Sequence, residues 1–199
     1  MNRMNGENKD ERVMVFIDLR NTLKNAEKFS QDITVDFKEL VGTVVGERRM
    51  IAAYMFDGTE CEYDSHNYFD DMMAEEGFYI FSRDCYDSNT RMQKEVDVAM
   101  TCKMLTHAFK DSYDTAIVVS GDRDFKPAIE EIQSAGKRVE VAGITEGMSR
   151  GLSKCCDAFH DLDQVPLFYL KPEMWAYYDN TDFAAHRDVP AEILTGAVF

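Results

Sequence analysis

Asp114-Thr115-Ala116-Ile117-Val118-Val119 runs directly into Ser120-Gly121-Asp122-Arg123-Asp124-Phe125, and a helical pattern begins near Pro127. An apolar, β-branched run of this length reads as a strand buried on both faces, as strands of parallel sheets are. Two carboxylates then stand in the turn at its carboxyl end, where open α/β sheets build their sites. An earlier run, Val13-Met14-Val15-Phe16-Ile17, ends in the same way, on Asp18-Leu19-Arg20-Asn21. Acidic groups converging on one sheet edge suggest a hard divalent cation, Mg2+ or Mn2+, and with it phosphate chemistry.

Outward from these two turns, short apolar stretches alternate with helical patterns. Residues 22–29 read as a helix, and Asp36 is positioned to cap a second over 37–45. Strands are expected at 49–56 and 78–82, flanking a helical pattern over 65–76 that Gly77 closes. A loop over 83–91 precedes a long amphipathic helix, 94–109, with Val96, Met100, Met104 and Leu105 in its apolar stripe. Gly136 stops the helix that follows Pro127, and 139–142 reads as a fifth strand. A shorter helix over 148–156 and an apolar piece at 159–162 complete the pattern. The alternation predicts the α/β class, a three-layer α/β/α sandwich around a mainly parallel, Rossmann-like sheet. We expect a polar tail over 1–12, one domain over 13–163 and an aromatic arm over 164–199. The arm holds Trp175, Tyr177 and Tyr178 and is read as packing on its own domain or on a second subunit.

Composition narrows the function classes. The 199 residues are 45% hydrophobic, enough for one ordinary core, and hold no apolar run long enough to span a bilayer. No signal-like start precedes Val13, so a soluble, cytoplasmic protein without membrane partners is expected. The five cysteines form no Cys-x-x-Cys pair, which argues against a structural zinc site and for reduced thiols. Leu19, Arg20 and Asn21 stand where a dinucleotide fold needs glycines, which disfavours nicotinamide and flavin cofactors. A net charge of −15 opposes nucleic-acid binding in bulk. Yet Arg20, Arg91, Lys94, Arg123, Lys126, Arg150 and Lys154 all lie near the two turns or their helices.

Strands one and four are the usual central neighbours of a doubly wound sheet, so Asp18 and Asp122 are expected to face each other across its crevice, with Asp124 beside them. Asp97 sits among apolar neighbours in Lys94-Glu95-Val96-Asp97-Val98-Ala99, where a carboxylate needs a cation or donors to compensate it. These four are the candidate catalytic and metal-binding residues. Asn21, Arg20, Ser120, Arg123 and Ser149 are candidate substrate contacts through their amide, guanidinium or hydroxyl groups. Capping and turn formation account equally for Asp18, Asp122, Asp124, Asn21 and the two serines taken singly.

Taken together, these residues resemble the NYN domain, the LabA-like branch of the PIN-like ribonuclease superfamily. The resemblance is carried by Phe16-Ile17-Asp18 with Asn21, Lys94-Glu95-Val96-Asp97-Val98, Tyr113-Asp114-Thr115-Ala116, Ser120-Gly121-Asp122-Arg123-Asp124-Phe125 with Pro127, Gly136-Lys137-Arg138-Val139, and Ser149-x-x-Leu152 with Asp157-x-Phe159. It implies a PIN-like sandwich and an endoribonuclease dependent on Mg2+ or Mn2+, with Asp18, Asp97, Asp122 and Asp124 matching the family's acidic residues and Asn21 its polar partner. RNA, single-stranded or structured, is the implied partner, and a homodimer through the aromatic arm is a further expectation. Glu95 departs from the family's usual Gly, and Arg20 fills a slot often held by a small residue.

Two other readings compete. A non-catalytic NYN-fold regulatory or RNA-binding module fits the net charge of −15. The Asp18 turn also loosely resembles that of a phosphatase of the haloacid dehalogenase type, but Arg20 occupies the position where that chemistry needs a second carboxylate.

Overall fold

The computed structural model describes residues 9–28, 33–57, 74, 77–82, 91–164 and 168–170. Six strands form the central sheet: β1 (Arg12–Asp18), β3 (Arg49–Asp57), β4 (Tyr79–Ser82), β5 (Thr115–Val119), β6 (Arg138–Gly143) and β7 (Ala158–Asp161), in the spatial order β4-β3-β1-β5-β6-β7. Every neighbouring pair in that sheet is parallel. Strand order runs from β1 outward in both directions, so β1 and β5 flank the point where the chain reverses its winding. The α/β fold expected from the alternation is the one observed.

Side-chain alternation along β1 divides the core into two layers. Val13, Val15 and Ile17 pack with α1 (Leu19–Ala26) and α2 (Phe37–Val45) through Leu19, Ala26, Phe37 and Leu40. Met14 and Phe16 face the other side, with Val96, Met100 and Met104 of α3 (Arg91–Phe109) and Ile129 and Ile132 of α4 (Lys126–Ser134). Every residue of β5 is buried, as a central parallel strand requires. Beside it, Glu140 of β6 is a buried charge that bonds Arg48 at 3.0 and 3.1 Å, Arg138 at 2.9 Å and His160 at 2.7 Å. No helix among the described residues is long and apolar enough to cross a membrane.

The structure corrects several local expectations. α1 starts at Leu19 rather than residue 22, because the Asp18 carboxylate caps it by accepting from the Asn21 N–H at 3.1 Å. The helix expected over 148–156 is absent. A 3-10 turn, Thr145–Gly147, is followed by turns in which the Ser149 hydroxyl accepts from Leu152 N–H at 3.3 Å, a local bond that competes with helix, and Gly151 adds to the cost. The apolar piece near 159–162 forms β7, a full member of the sheet. β2 (Ile33–Val35) and β8 (Phe168–Leu170) pair antiparallel in a small second sheet that the sequence pattern did not single out. All of the helical pattern over 65–76 except residue 74, and nearly all of the aromatic arm, lie outside the described residues.

Candidate functional site

Asp18 is the last residue of β1 and, at 9% exposure, nearly buried. Its carboxylate accepts the Ser120 hydroxyl at 3.0 Å as well as the Asn21 N–H. Ser120 Oγ in turn accepts from the Asp122 N–H at 3.1 Å, so one buried hydroxyl couples the two acidic turns. Asp122 caps the short 3-10 turn Arg123–Phe125 by accepting the Asp124 N–H at 2.9 Å, and α4 continues from it with Pro127 in its first turn.

Asn21 ties the two turns together from the α1 side. Its Oδ1 accepts the Gly121 N–H at 2.8 Å and the Asn25 amide at 3.0 Å. Gly121 is required here: a Cβ on it lies 2.4 Å from the carbonyl oxygen of Gly147, backbone against backbone. A Cβ on Gly147 lies 2.2 Å from the Asn25 side chain. Asn21, Asn25, Gly121 and Gly147 thus form a wedge that locks the 120s turn against α1 and the 145–147 turn.

A cleft of about 160 Å³ opens above this wedge, lined by Asp18, Arg20, Asn21, Lys24, Val96, Asp97 and Asp122. The two acidic turns and the α3 carboxylate, far apart in sequence, therefore share one cavity. Asp124 and Arg123 are exposed on the neighbouring turn, outside the lining, although the Asp124 charge still acts on Asp97. Ser120 lies buried beneath the cleft, and Ser149 is a turn residue whose N–H donates to the Gly121 carbonyl at 3.1 Å. Asp57, at the end of β3, is buried but belongs to the opposite face, since its neighbour Phe56 is the register partner of Asp18.

Burial first, and crowding of like charges second, set the electrostatics. Burial, with repulsion from Asp97 and Asp122, pushes the Asp18 carboxyl up to about 6, against the Asn21 and Ser120 bonds that favour its anion. Burial and repulsion from Asp122 and Asp124 push Asp97 up to about 6 as well, with Arg20 pulling the other way. Among the described residues no three His, Cys, Asp or Glu side chains converge tightly enough to surround an ion by themselves. What the cleft offers is a spread set of hard oxygen donors, Asp18, Asp97 and Asp122, which suits a dication such as Mg2+ or Mn2+ that keeps several of its waters.

Lys24, Asn25 and Gly147 were not singled out from sequence. Lys24 and Asn25 carried a usable signal, since each stands one helical turn beyond a candidate, Arg20 and Asn21 respectively. Gly147 carried none, because only the fold brings it to Gly121.

Comparison with known proteins agrees with this architecture. An uncharacterized protein of Methanocaldococcus jannaschii is 36% identical over 63 residues, a match covering 32% of this chain and 26% of that protein. The match thus spans about a quarter of the curated relative's length. A crystal structure of a protein of unknown function from Vibrio parahaemolyticus superposes with a TM-score of 0.66 at 22% identity, over 79% of this chain and 96% of that one, and so shares the fold. The profile of the NYN domain, a nuclease-like domain of the PIN-like superfamily, matches residues 12–163. The chain, with its acidic cleft at the β1/β5 switch point, is a member of the NYN domain family.

Proposed function

We propose that the cleft hydrolyses RNA phosphodiester bonds with the help of Mg2+ or Mn2+, making the protein an endoribonuclease. The observation that carries this reading is the convergence of Asp18, Asp97 and Asp122 on one cleft that Arg20 and Lys24 also line. Asp18, Asp97 and Asp122 would hold the cation together with several of its waters, and it would supply charge neutralisation at the phosphate and a lowered pKa for a nearby water. Arg20 and Lys24, one helical turn apart on α1, pair with the non-bridging phosphate oxygens and orient the ester. Asp97, partly exposed in the cleft, takes the proton of the attacking water. Ser120 and Asn21 hold Asp18 and the Gly121 turn at fixed separation, so the carboxylates need not reorganise during the reaction. Arg123, exposed beside the cleft, contacts the flanking strand, and Asp124 and Ser149 act through the turns they build.

The nucleophile is the testable point. Attack by water at phosphorus that breaks the P–O3′ bond leaves a 5′-phosphate and a 3′-hydroxyl and does not use the ribose 2′-hydroxyl. Cleavage should therefore persist when the residue at the cut site is 2′-deoxy. A requirement for that hydroxyl, with a cyclic phosphate product, refutes the mechanism.

The net charge of −15 and Glu95, exposed two residues before Asp97, favour a second reading, a regulatory or RNA-binding module without turnover. The two readings part on whether any RNA is cut.

A further inference from the structure

Aromatic rings on the α3 face of the sheet form a pile that ends in the open. Phe16 of β1 is fully buried, and its ring stacks on Tyr54 of β3 with centroids 5.7 Å apart and planes 7° from parallel. Tyr54 stacks on Tyr79 of β4 at 5.1 Å and 28°. Phe16, Tyr54 and Tyr79 are register partners across three neighbouring strands, so the pile steps outward one strand at a time. β4 is the edge of the sheet, and Tyr79 is 59% exposed there.

Two features make this more than a stray surface ring. The pile is held in place, because the Tyr54 hydroxyl meets His107 Nε2 at 3.2 Å. It is also cationic in a strongly acidic chain: Lys103 Nζ lies 5.2 Å from the Tyr54 centroid, and Lys103 and Lys110 both act on His107, adding to the burial that lowers its pKa. Asp18 follows Phe16 by two residues on the same face, and β4 lies two strands away. At roughly 4.8 Å between strands and 3.3 Å per residue, Tyr79 stands about 12 Å from Asp18 along the sheet.

An exposed ring at the end of a fixed pile, with the Lys103 ammonium over the next ring inward, suits a polyanion that carries planar bases. We propose that Tyr79 is a base-stacking platform for single-stranded RNA, with Lys103 contacting its backbone, so that a nucleotide flanking the cleft is held by its base. The choice of RNA as the polymer rests on the reading of the cleft as a ribonuclease site; the platform itself does not depend on turnover.

The test is binding of a fluorescein-labelled single-stranded oligoribonucleotide to the full chain, by anisotropy at low salt with chelator present. Tyr79→Ala should weaken binding by roughly 5- to 150-fold, the range for losing one base–aromatic stack, and Tyr79→Trp should restore it. Lys103→Ala should lower the slope of log affinity against log salt by about one. Unchanged urea midpoints establish that the variants are folded. Equal affinity of Tyr79→Ala and the parent overturns the proposal, as does a parent dimer that Tyr79→Ala dissociates with RNA affinity unaltered, which makes this edge an interface between copies. Tyr79-dependent binding without any metal-dependent cutting by the parent refutes the ribonuclease reading and upholds the platform. Cutting with Tyr79-independent binding refutes the platform alone.

Discussion

Asp18→Asn should make the metal-free protein more stable at neutral pH while removing its activity. The Asp18 carboxyl is raised from 3.8 to about 6 in the fold, chiefly by burial and then by Asp97 and Asp122. At 1.36 kcal/mol per pH unit, that corresponds to roughly 3 kcal/mol charged against the folded state once the group is ionised. The sign follows from proton uptake. Between pH 4 and 6 the folded protein binds more protons at this site than the unfolded chain, so this group's contribution falls as pH rises through that window and is lowest above it. Asparagine carries no charge to desolvate and keeps an oxygen for the Asn21 N–H, while its amide cannot accept the Ser120 hydroxyl, a loss of about 1 kcal/mol. The net expectation is a gain of about 2 kcal/mol at pH 8, or roughly 4–8 °C in melting temperature for a chain of this size. Urea unfolding of both proteins in chelator, at pH 5 and pH 8, isolates Asp18 together with the repulsion it shares with Asp97 and Asp122, because titrations of groups not coupled to it cancel in the difference. The variant should gain on the parent between pH 5 and pH 8. A variant less stable than the parent at pH 8, or a difference that does not change with pH, refutes the electrostatic account of the cleft.

Other consequences are equally direct. Asp97→Asn should shift stability in the same direction but by less, since Asp97 is more exposed than Asp18, and the same pair of urea titrations measures it. Glu140→Gln should destabilise by about 3–5 kcal/mol at neutral pH, because Arg48 and Arg138 lose the carboxylate that neutralises them in a buried setting. Hydrogen bonds from His160, Arg48 and Arg138 outweigh the burial of the Glu140 carboxyl and hold it at about 2, so its contribution persists above pH 4.5 and fades only as pH falls toward 2. Gly121→Ala should cost about 1–3 kcal/mol by forcing the 120s turn off the Gly147 carbonyl, read as a lowered melting temperature. Added Mn2+ should raise the melting temperature of the parent and leave Asp122→Asn nearly unmoved, in line with binding to the folded state alone.

Much of this architecture is legible in the chain because the strands that decide it are strongly patterned. The 114–119 run is apolar and β-branched throughout, and the structure buries all of β5. The capping residues were equally readable: Asp36 does cap α2, accepting the Glu39 N–H at 2.9 Å. Where the pattern misled, a local polar interaction was responsible. Residues 148–156 have helical spacing, but the Ser149 hydroxyl and Gly151 favour turns, and no apolar stripe is strong enough to override them. β2 and β8 are three residues each and lie far apart in the chain, so neither carries a periodic signal. For the cleft, sequence reasoning reached Asp18, Asp97 and Asp122 through their positions at strand ends and on an apolar helix face. It did not reach the wedge as a whole, because the contact of Gly147 with Gly121 and Asn25 exists only once two turns meet α1.

The measurement that tests the central claim most directly is cleavage of end-labelled single-stranded and structured RNAs at low salt in Mn2+, Mg2+ or chelator, with the parent beside Asp18→Asn and Asp122→Asn. The account predicts cutting by the parent that requires the metal and is lost in both folded variants. No cutting by a folded parent in any lane, or cutting that both variants retain, contradicts it.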